Sequence, residues 1–249
     1  MLSGAVLVTG GAKRLGAAIA RAVAAAGARV VIHYGGSEVE ARALATELNG
    51  VSVQGDLADA AAADALFARA RAAVGAPIVG LVNSASLFAF DRADAIDPAL
   101  ATRLHAINSV TPAMLAAALA AQADVEDGAV VNLLDQKLAN PNPDFFSYSL
   151  SKYALAGATE MLAQALAPRV RVNAVAPGIT LPSGDQTDAE FAAVAADNLL
   201  RRPVGADNVA AAVVYLLGAR SVTGQTLFVD GGQRFVRRDR DVMFEGRDG

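Results

Sequence analysis

Val8-Thr9-Gly10-Gly11-Ala12-Lys13-Arg14-Leu15-Gly16 carries three glycines within seven residues near the start of the chain. It lies where a β-branched run, Ala5-Thr9, gives way to an alanine-rich run, Leu15-Ala26. A tight glycine turn there lets main-chain N–H groups and a helix N-terminus approach a pyrophosphate. An ordinary strand-to-helix connection can use the same glycines, but the place right after the first strand favours dinucleotide binding. Outward from this turn the alternation continues along the chain. The spacing predicts further strands at Ala28-His33, Val51-Gly55, Ile78-Asn83, Ala129-Leu134, Val170-Val175 and Thr226-Val229. Helices are expected at Leu15-Ala26, Ser37-Leu48, Ala60-Val74, Pro98-Ala121, Ser147-Leu166, Ala189-Leu199 and Ala206-Leu217. Few strands alternate in polarity, as when both faces of a sheet are covered. The expectation is an α/β fold, one doubly wound parallel sheet of seven strands with helices on both faces. No linker or repeat divides residues 1–232, and residues 233–249 form a charge-dense tail containing Arg234, Arg237, Arg238, Arg240, Glu245, Arg247 and Asp248.

Composition narrows the function. The 249 residues carry 21 basic and 25 acidic side chains, a formal charge of −4, which argues against a nucleic-acid partner. Cysteine is absent and there are only two histidines, His33 and His105, so no metal site is expected and thiol catalysis is excluded. The N-terminus lacks a basic region followed by a long apolar run, so a cytoplasmic protein without a signal peptide is expected. The uncharged stretch Leu104-Ala123 holds too many polar residues for a membrane span and reads as a buried helix.

Several segments fall at the carboxyl edge of the expected sheet, where ligands bind in such folds. Gly10, Lys13, Arg14, Leu15 and Gly16 would surround a pyrophosphate. After the second strand comes His33-Tyr34-Gly35-Gly36-Ser37, with no acid to take ribose hydroxyls. With Lys13 and Arg14 nearby, His33, Tyr34 and Ser37 suggest a 2′-phosphate pocket and hence NADP rather than NAD. The alternative is that His33 and Ser37 are a strand end and a helix cap. Asp56 and Leu57 lie where an adenine amino group could be met, or where a loop is simply capped. Asn83, Ser84 and Ala85 end the fourth strand on the same edge.

Tyr148 and Lys152 are four residues apart on one helical face. A neighbouring cation favours the phenolate, so the tyrosine pKa is expected to fall and the phenol to exchange a proton near neutral pH. Asp135 ends the fifth strand, 13 residues before Tyr148, and reaches the same cleft. Asn108, in the long fourth-to-fifth connection, would hold a water or main-chain group beside Lys152, or serve a structural role.

In combination these motifs resemble the short-chain dehydrogenase/reductase family. The matching features are the Thr9-Gly10 to Gly16 turn, Asn83-Ser84-Ala85-Ser86, Asn108, Tyr148 with Lys152, Asn173-Ala174-Val175-Ala176-Pro177-Gly178, Thr223-Gly224 and Asp230-Gly231-Gly232. They stand in family order from about residue 2 to 232. The resemblance implies a single Rossmann-type domain, Tyr148 as the acid, Lys152 on the nicotinamide ribose, Asn108 anchoring a relay water, and Pro177, Gly178 and Ile179 bordering the nicotinamide. Asp135 stands where the family has its catalytic serine, and Arg14 where it usually has glycine. With Ser86-Leu87-Phe88 and His33-Tyr34, these departures resemble pteridine reductases and dihydromonapterin or alternative dihydrofolate reductases, although Gly36 replaces an arginine frequent there. In that group the arginine touches cofactor phosphate and pterin, the aromatic at Phe88 stacks the pterin, and Arg14, Ser86, Phe88, Asp135 and Tyr148 would form the substrate site. The leading expectation is an NADPH-dependent reductase of a pterin or dihydrofolate. A reductase of an oxoacyl or small ketone substrate would normally carry serine and glycine at positions 135 and 14. A non-catalytic NADP-sensing protein would normally have lost Tyr148 or Lys152. The apolar helices Leu104-Ala123 and Tyr148-Leu166 suggest a homotetramer, and some tail arginines are expected to reach a substrate pocket.

Overall fold

The computed structural model describes residues 2, 4–182 and 187–244, without the side chains of residues 188 and 193. The tail residues Glu245, Arg247 and Asp248, and part of the expected substrate loop, lie outside them. Seven strands form one parallel sheet: β1 (Ala5–Thr9), β2 (Arg29–Tyr34), β3 (Val51–Gln54), β4 (Ile78–Asn83), β5 (Gly128–Leu133), β6 (Val170–Pro177) and β7 (Thr226–Val229). Their order is β3-β2-β1-β4-β5-β6-β7, so the winding reverses between β1 and β4 and opens a crevice at the carboxyl edge. The register pairs Thr9 with Asn83 and Asn83 with Asn132, aligning those strand ends.

The helices are α1 (Arg14–Ala25), α2 (Glu38–Glu47), α3 (Ala63–Val74), α4 (Pro98–His105), α5 (Thr111–Ala120), α6 (Phe146–Leu166), α7 (Asp188–Ala195) and α8 (Ala206–Gly218). Two cores result. Val6 and Val8 of β1 join Ile19, Leu44 and Val213 on one face, whereas Ala5 and Leu7 join Leu66, Leu115 and Ala163 on the other. With both faces buried, alternation of polarity has no physical basis, and the apolar strand runs follow.

One expected helix is divided. Pro98-Ala121 runs as α4, a π-helical turn over Ala106–Val110, and α5. Pro112 lacks an N–H and its ring crowds the carbonyl four residues back, at Asn108, so the turn widens there. The turn displays Asn108 beside α6. Expected α7 also stops at Ala195 rather than Leu199, and the expected helix from Ala60 begins as a 3₁₀ turn before α3. Among the described residues no helix is long and apolar enough to cross a membrane, and no group of three His, Asp or Glu side chains is placed to hold a metal.

Candidate active site

The glycine turn is built for close approach. Gly10 has φ +61°, and a Cβ there would lie 2.9 Å from Ala85 Cα; a Cβ at Gly16 would lie 2.1 Å from the Gly10 carbonyl oxygen. The start of α1 has neither a side-chain cap nor an acid in its first turn, leaving its positive end free of protein anions. Thr9 Oγ1 accepts from Ser84 N at 3.0 Å and Ala85 N at 3.1 Å, so the ends of β1 and β4 are tied together. Arg14 adopts φ +53° and hydrogen-bonds the Pro182 carbonyl, bringing its guanidinium across the crevice mouth. Lys13 pairs with Glu40 of α2 at 3.2 Å, and the exposed Gly36 and half-buried Ser37 lie at that helix's start.

Several expected cofactor ligands have side chains that are buried or hydrogen-bonded within the protein. His33 is buried; its Nδ1 accepts from Gly10 N at 3.2 Å and its Nε2 faces the Gly55 carbonyl at 3.1 Å. Both ring nitrogens are thus used, and burial holds the imidazole pKa down to about 4. His33 is a neutral clamp for the glycine turn rather than a phosphate ligand. Asn83 is likewise turned inward, donating to Asn132 Oδ1 at 2.8 Å and to Pro112 O at 3.2 Å. Asp56 accepts from Ala58 N at 2.9 Å, the loop-cap reading, and Leu57 is buried. Tyr34 is also buried in the core. At the far end Gly178 N donates to Val229 O, and Ile179 N donates to the buried Gln233 Oε1 at 2.8 Å. Gln233 fixes the segment after Pro177; the sequence signal for it was only its place after Asp230-Gly231-Gly232.

Tyr148, Lys152 and Asp135 converge. Tyr148 Oη donates to Asp135 Oδ2 at 2.8 Å, and Asp135 Oδ1 accepts from Lys137 N at 2.9 Å. Lys152 Nζ donates to the Leu133 carbonyl at 2.8 Å and sits 5.7 Å from the Tyr148 ring centre. Burial and the Asp135 carboxylate push the Tyr148 pKa well above its ordinary 10, correcting the expectation that it is lowered. Burial disfavours the phenolate first; the Asp135 carboxylate adds to the rise by holding the phenolic hydrogen, and the Lys152 ammonium is directed at a carbonyl. Burial lowers Lys152 to about 8. Asn108 uses its amide fully, donating to Leu87 O and Ser151 Oγ, both at 2.9 Å, and accepting from Leu87 N at 2.8 Å and Ser86 Oγ at 3.3 Å. Its side chain therefore fastens the Ser86-Phe88 segment to α6 and has no group left for a relay water.

Phe88 stacks on Phe145 at 4.1 Å and meets the Tyr148 ring edge-on at 4.7 Å. Asp91, absent from the sequence expectations, holds the start of α6: its carboxylate accepts from Ser147 N at 2.8 Å and Ser147 Oγ at 2.5 Å. It offsets the left-handed Phe145, φ +53°, that precedes the helix. Of the tail arginines, Arg240 lies over the Phe244 ring and near Asp144, whereas Arg234 pairs with Asp230 and Arg238 with Asp197.

The family model described as enoyl-(acyl carrier protein) reductase matches residues 10–234. Among solved structures, FolM alternative dihydrofolate reductase 1 from Brucella canis, complexed with NADP, is similar at 42% identity and TM-score 0.86, covering 93% of this chain and 94% of that one. Pteridine reductase 1 of Leishmania tarentolae is 32% identical, over 93% of this chain and 96% of its own length. The 3-oxoacyl-acyl-carrier-protein reductase FabG of Staphylococcus aureus is 31% identical, over 91% and 96%. With its switch-point glycine turn, its Tyr148-Lys152 pair and these matches over nearly its whole length, the chain belongs to the short-chain dehydrogenase/reductase family of oxidoreductases.

Proposed function

We propose that this chain is an NADPH-dependent reductase of a pterin or dihydrofolate. The observation that carries the reading is the 2.8 Å hydrogen bond from Tyr148 to Asp135, a carboxylate where ordinary carbonyl reducers of the family have serine. The NADP-bound relative at 42% identity and the pteridine reductase at 32% support it.

The residues present fit the dinucleotide: a turn into which no Cβ would fit at Gly10 or Gly16, and an uncapped α1 N-terminus, suit a pyrophosphate. Gly10, Lys13, Arg14, Leu15 and Gly16 would hold it, Ser37 with Lys13 and Arg14 the 2′-phosphate, and Ser84, Ala85, Lys152, Pro177, Gly178 and Ile179 the nicotinamide half. NADPH, when bound, supplies hydride. Reduction of a C=N bond also needs a proton at nitrogen, and this chain's residues provide it. Tyr148, its pKa raised, stays protonated at neutral pH and is a donor. Asp135 orients that phenol and can accept from the amino-rich edge of a pterin. Lys152, buried and cationic below about pH 8, offsets negative charge as the proton leaves. The exposed part of Phe88 would stack the ring against the nicotinamide, and Arg14 would touch the ring as well as the cofactor phosphate.

We place the enzyme in the cytoplasm, and we assign it as a homotetramer because Leu150, Tyr153 and Met161 form an exposed apolar stripe on α6, with Met161 65% exposed. NADPH oxidation with dihydrobiopterin, dihydromonapterin, dihydrofolate and an acetoacetyl thioester tests the assignment. A pterin or dihydrofolate should be reduced far better than the thioester, with NADPH preferred to NADH by at least about tenfold in kcat/KM. Reduction of the thioester alone would sink the substrate assignment.

A further inference from the structure

The chain beyond β7 folds back along the loop that carries Asp135. Asn140 Nδ2 donates to Val236 O at 2.7 Å, and Asp241 N donates to Asp144 Oδ2 at 2.8 Å. Between them Lys137 Nζ and Asp241 form an ion pair at 2.6 Å, with side chains only 10% and 8% exposed. Desolvating such a pair costs about what its attraction returns, so its value lies more in fixing position than in adding stability. Lys137 is the residue whose N–H holds Asp135, and its ammonium also lies 5.2 Å from the Phe145 ring centre. The pair thus ties the tail to the catalytic loop. Directly after it, Met243 and Phe244 pack on the cluster of Leu104, Phe145 and Tyr148, and the Phe244 ring lies 5.1 Å from Phe90 and 5.9 Å from Phe145.

We infer that Met243 and Phe244 are substrate-contacting residues completing an aromatic wall for a flat heteroaromatic ring beside Tyr148, and that Lys137 and Asp241 are the positioning residues that set this wall relative to Asp135. Rings and a thioether suit the face and edge of a planar conjugated substrate, whose stacking does not depend on a matched hydrogen-bond pattern. The substrate class rests on the pterin reading above.

The chain contains no tryptophan, so Phe244→Trp supplies a single emission reporter. Its emission should be blue-shifted in the full-length protein, shift to the red when Asp241→Asn is added, and return with Asp241→Glu. In steady state, Phe244→Ala and Asp241→Asn should each raise KM for the reduced substrate by about tenfold or more, with kcat within about threefold and NADPH affinity unmoved. An unchanged KM in both variants, or an indole emission from the Phe244→Trp protein that is indifferent to Asp241→Asn, overturns the inference. If the wild-type enzyme reduces only an acetoacetyl thioester, the pterin reading falls and the ring-stacking role with it, whereas the indole emission still decides separately whether Asp241 positions the wall.

Discussion

Replacing Asp135 with alanine removes the acceptor of the Tyr148 hydroxyl and leaves a buried phenol unpaired. A hydrogen bond to a charged group is worth about 1.5–3 kcal/mol, which at about 1.4 kcal/mol per decade is about 10- to 10²-fold in rate. A lost general acid-base contribution is about 10²- to 10⁴-fold, so Asp135→Ala should lower kcat/KM for the pterin by about 10²-fold or more. The pH profile offers an independent check. Asp135 raises the pKa of Tyr148 and also opposes the burial that lowers Lys152 to about 8. Both groups must keep their protons, so activity falls as pH rises through the lower of the two. Removing the carboxylate lowers both pKa values, and the alkaline limb should move to lower pH. The assay is NADPH oxidation across pH, with NADPH affinity measured separately and expected to stay near the wild-type value. A loss of less than about threefold, or an alkaline limb that stays in place, would refute the reasoning.

Arg14→Gly should weaken both NADPH binding and pterin turnover while raising thermal stability, because glycine relieves about 1 kcal/mol of left-handed strain at φ +53°; kinetics and a melting curve read the two effects. Phe88→Ala should raise the pterin KM by an amount equivalent to about 1–3 kcal/mol, with kcat less affected, in the same steady-state assay. His33 is held neutral with its pKa lowered from 6.5 to about 4, so it contributes stability that is complete above pH 6.5 and is lost as pH falls toward 4, in all about 3 kcal/mol. Denaturant unfolding across that window should show a flatter acid limb for His33→Gln than for the wild type. Light scattering at micromolar concentration should return the mass of a tetramer; a monomer would contradict the role given to the Leu150, Tyr153 and Met161 stripe.

The sheet was legible because each strand and helix carries its own local pattern, and the strand-end motifs gather where a switch point must put them. Tyr148, Lys152 and Asp135 meet in the structure because two motifs lie at the ends of neighbouring elements. What escaped the sequence rests on distant pairings or on burial. Asp91 meets Ser147 from 56 positions away, Asp241 meets Lys137 from 104, and no local spacing announces either. His33 and Asn83 read as ligands because polar residues at a strand's carboxyl end usually face the crevice; here tight glycine packing and the Asn132 amide claim them first. The π-turn at Ala106–Val110 was hidden in an otherwise uniform helical pattern, and only Pro112 marked it. The direction of the tyrosine pKa failed because burial and the Asp135 carboxylate, neither visible from the i, i+4 spacing, both disfavour the phenolate. Spacing brings the ammonium near the ring, but the Leu133 carbonyl decides where it points.

A carboxylate at position 135 commits this scaffold to protonating a ring nitrogen rather than a carbonyl oxygen. The most direct test of this commitment is the ratio of kcat/KM for the preferred pterin to that for an acetoacetyl thioester, measured for the wild type and for Asp135→Ser in parallel. Serine restores the family's usual carbonyl-polarising group, so pterin reduction should fall by about 10²-fold or more while thioester reduction holds or rises. Full pterin activity in Asp135→Ser would contradict it.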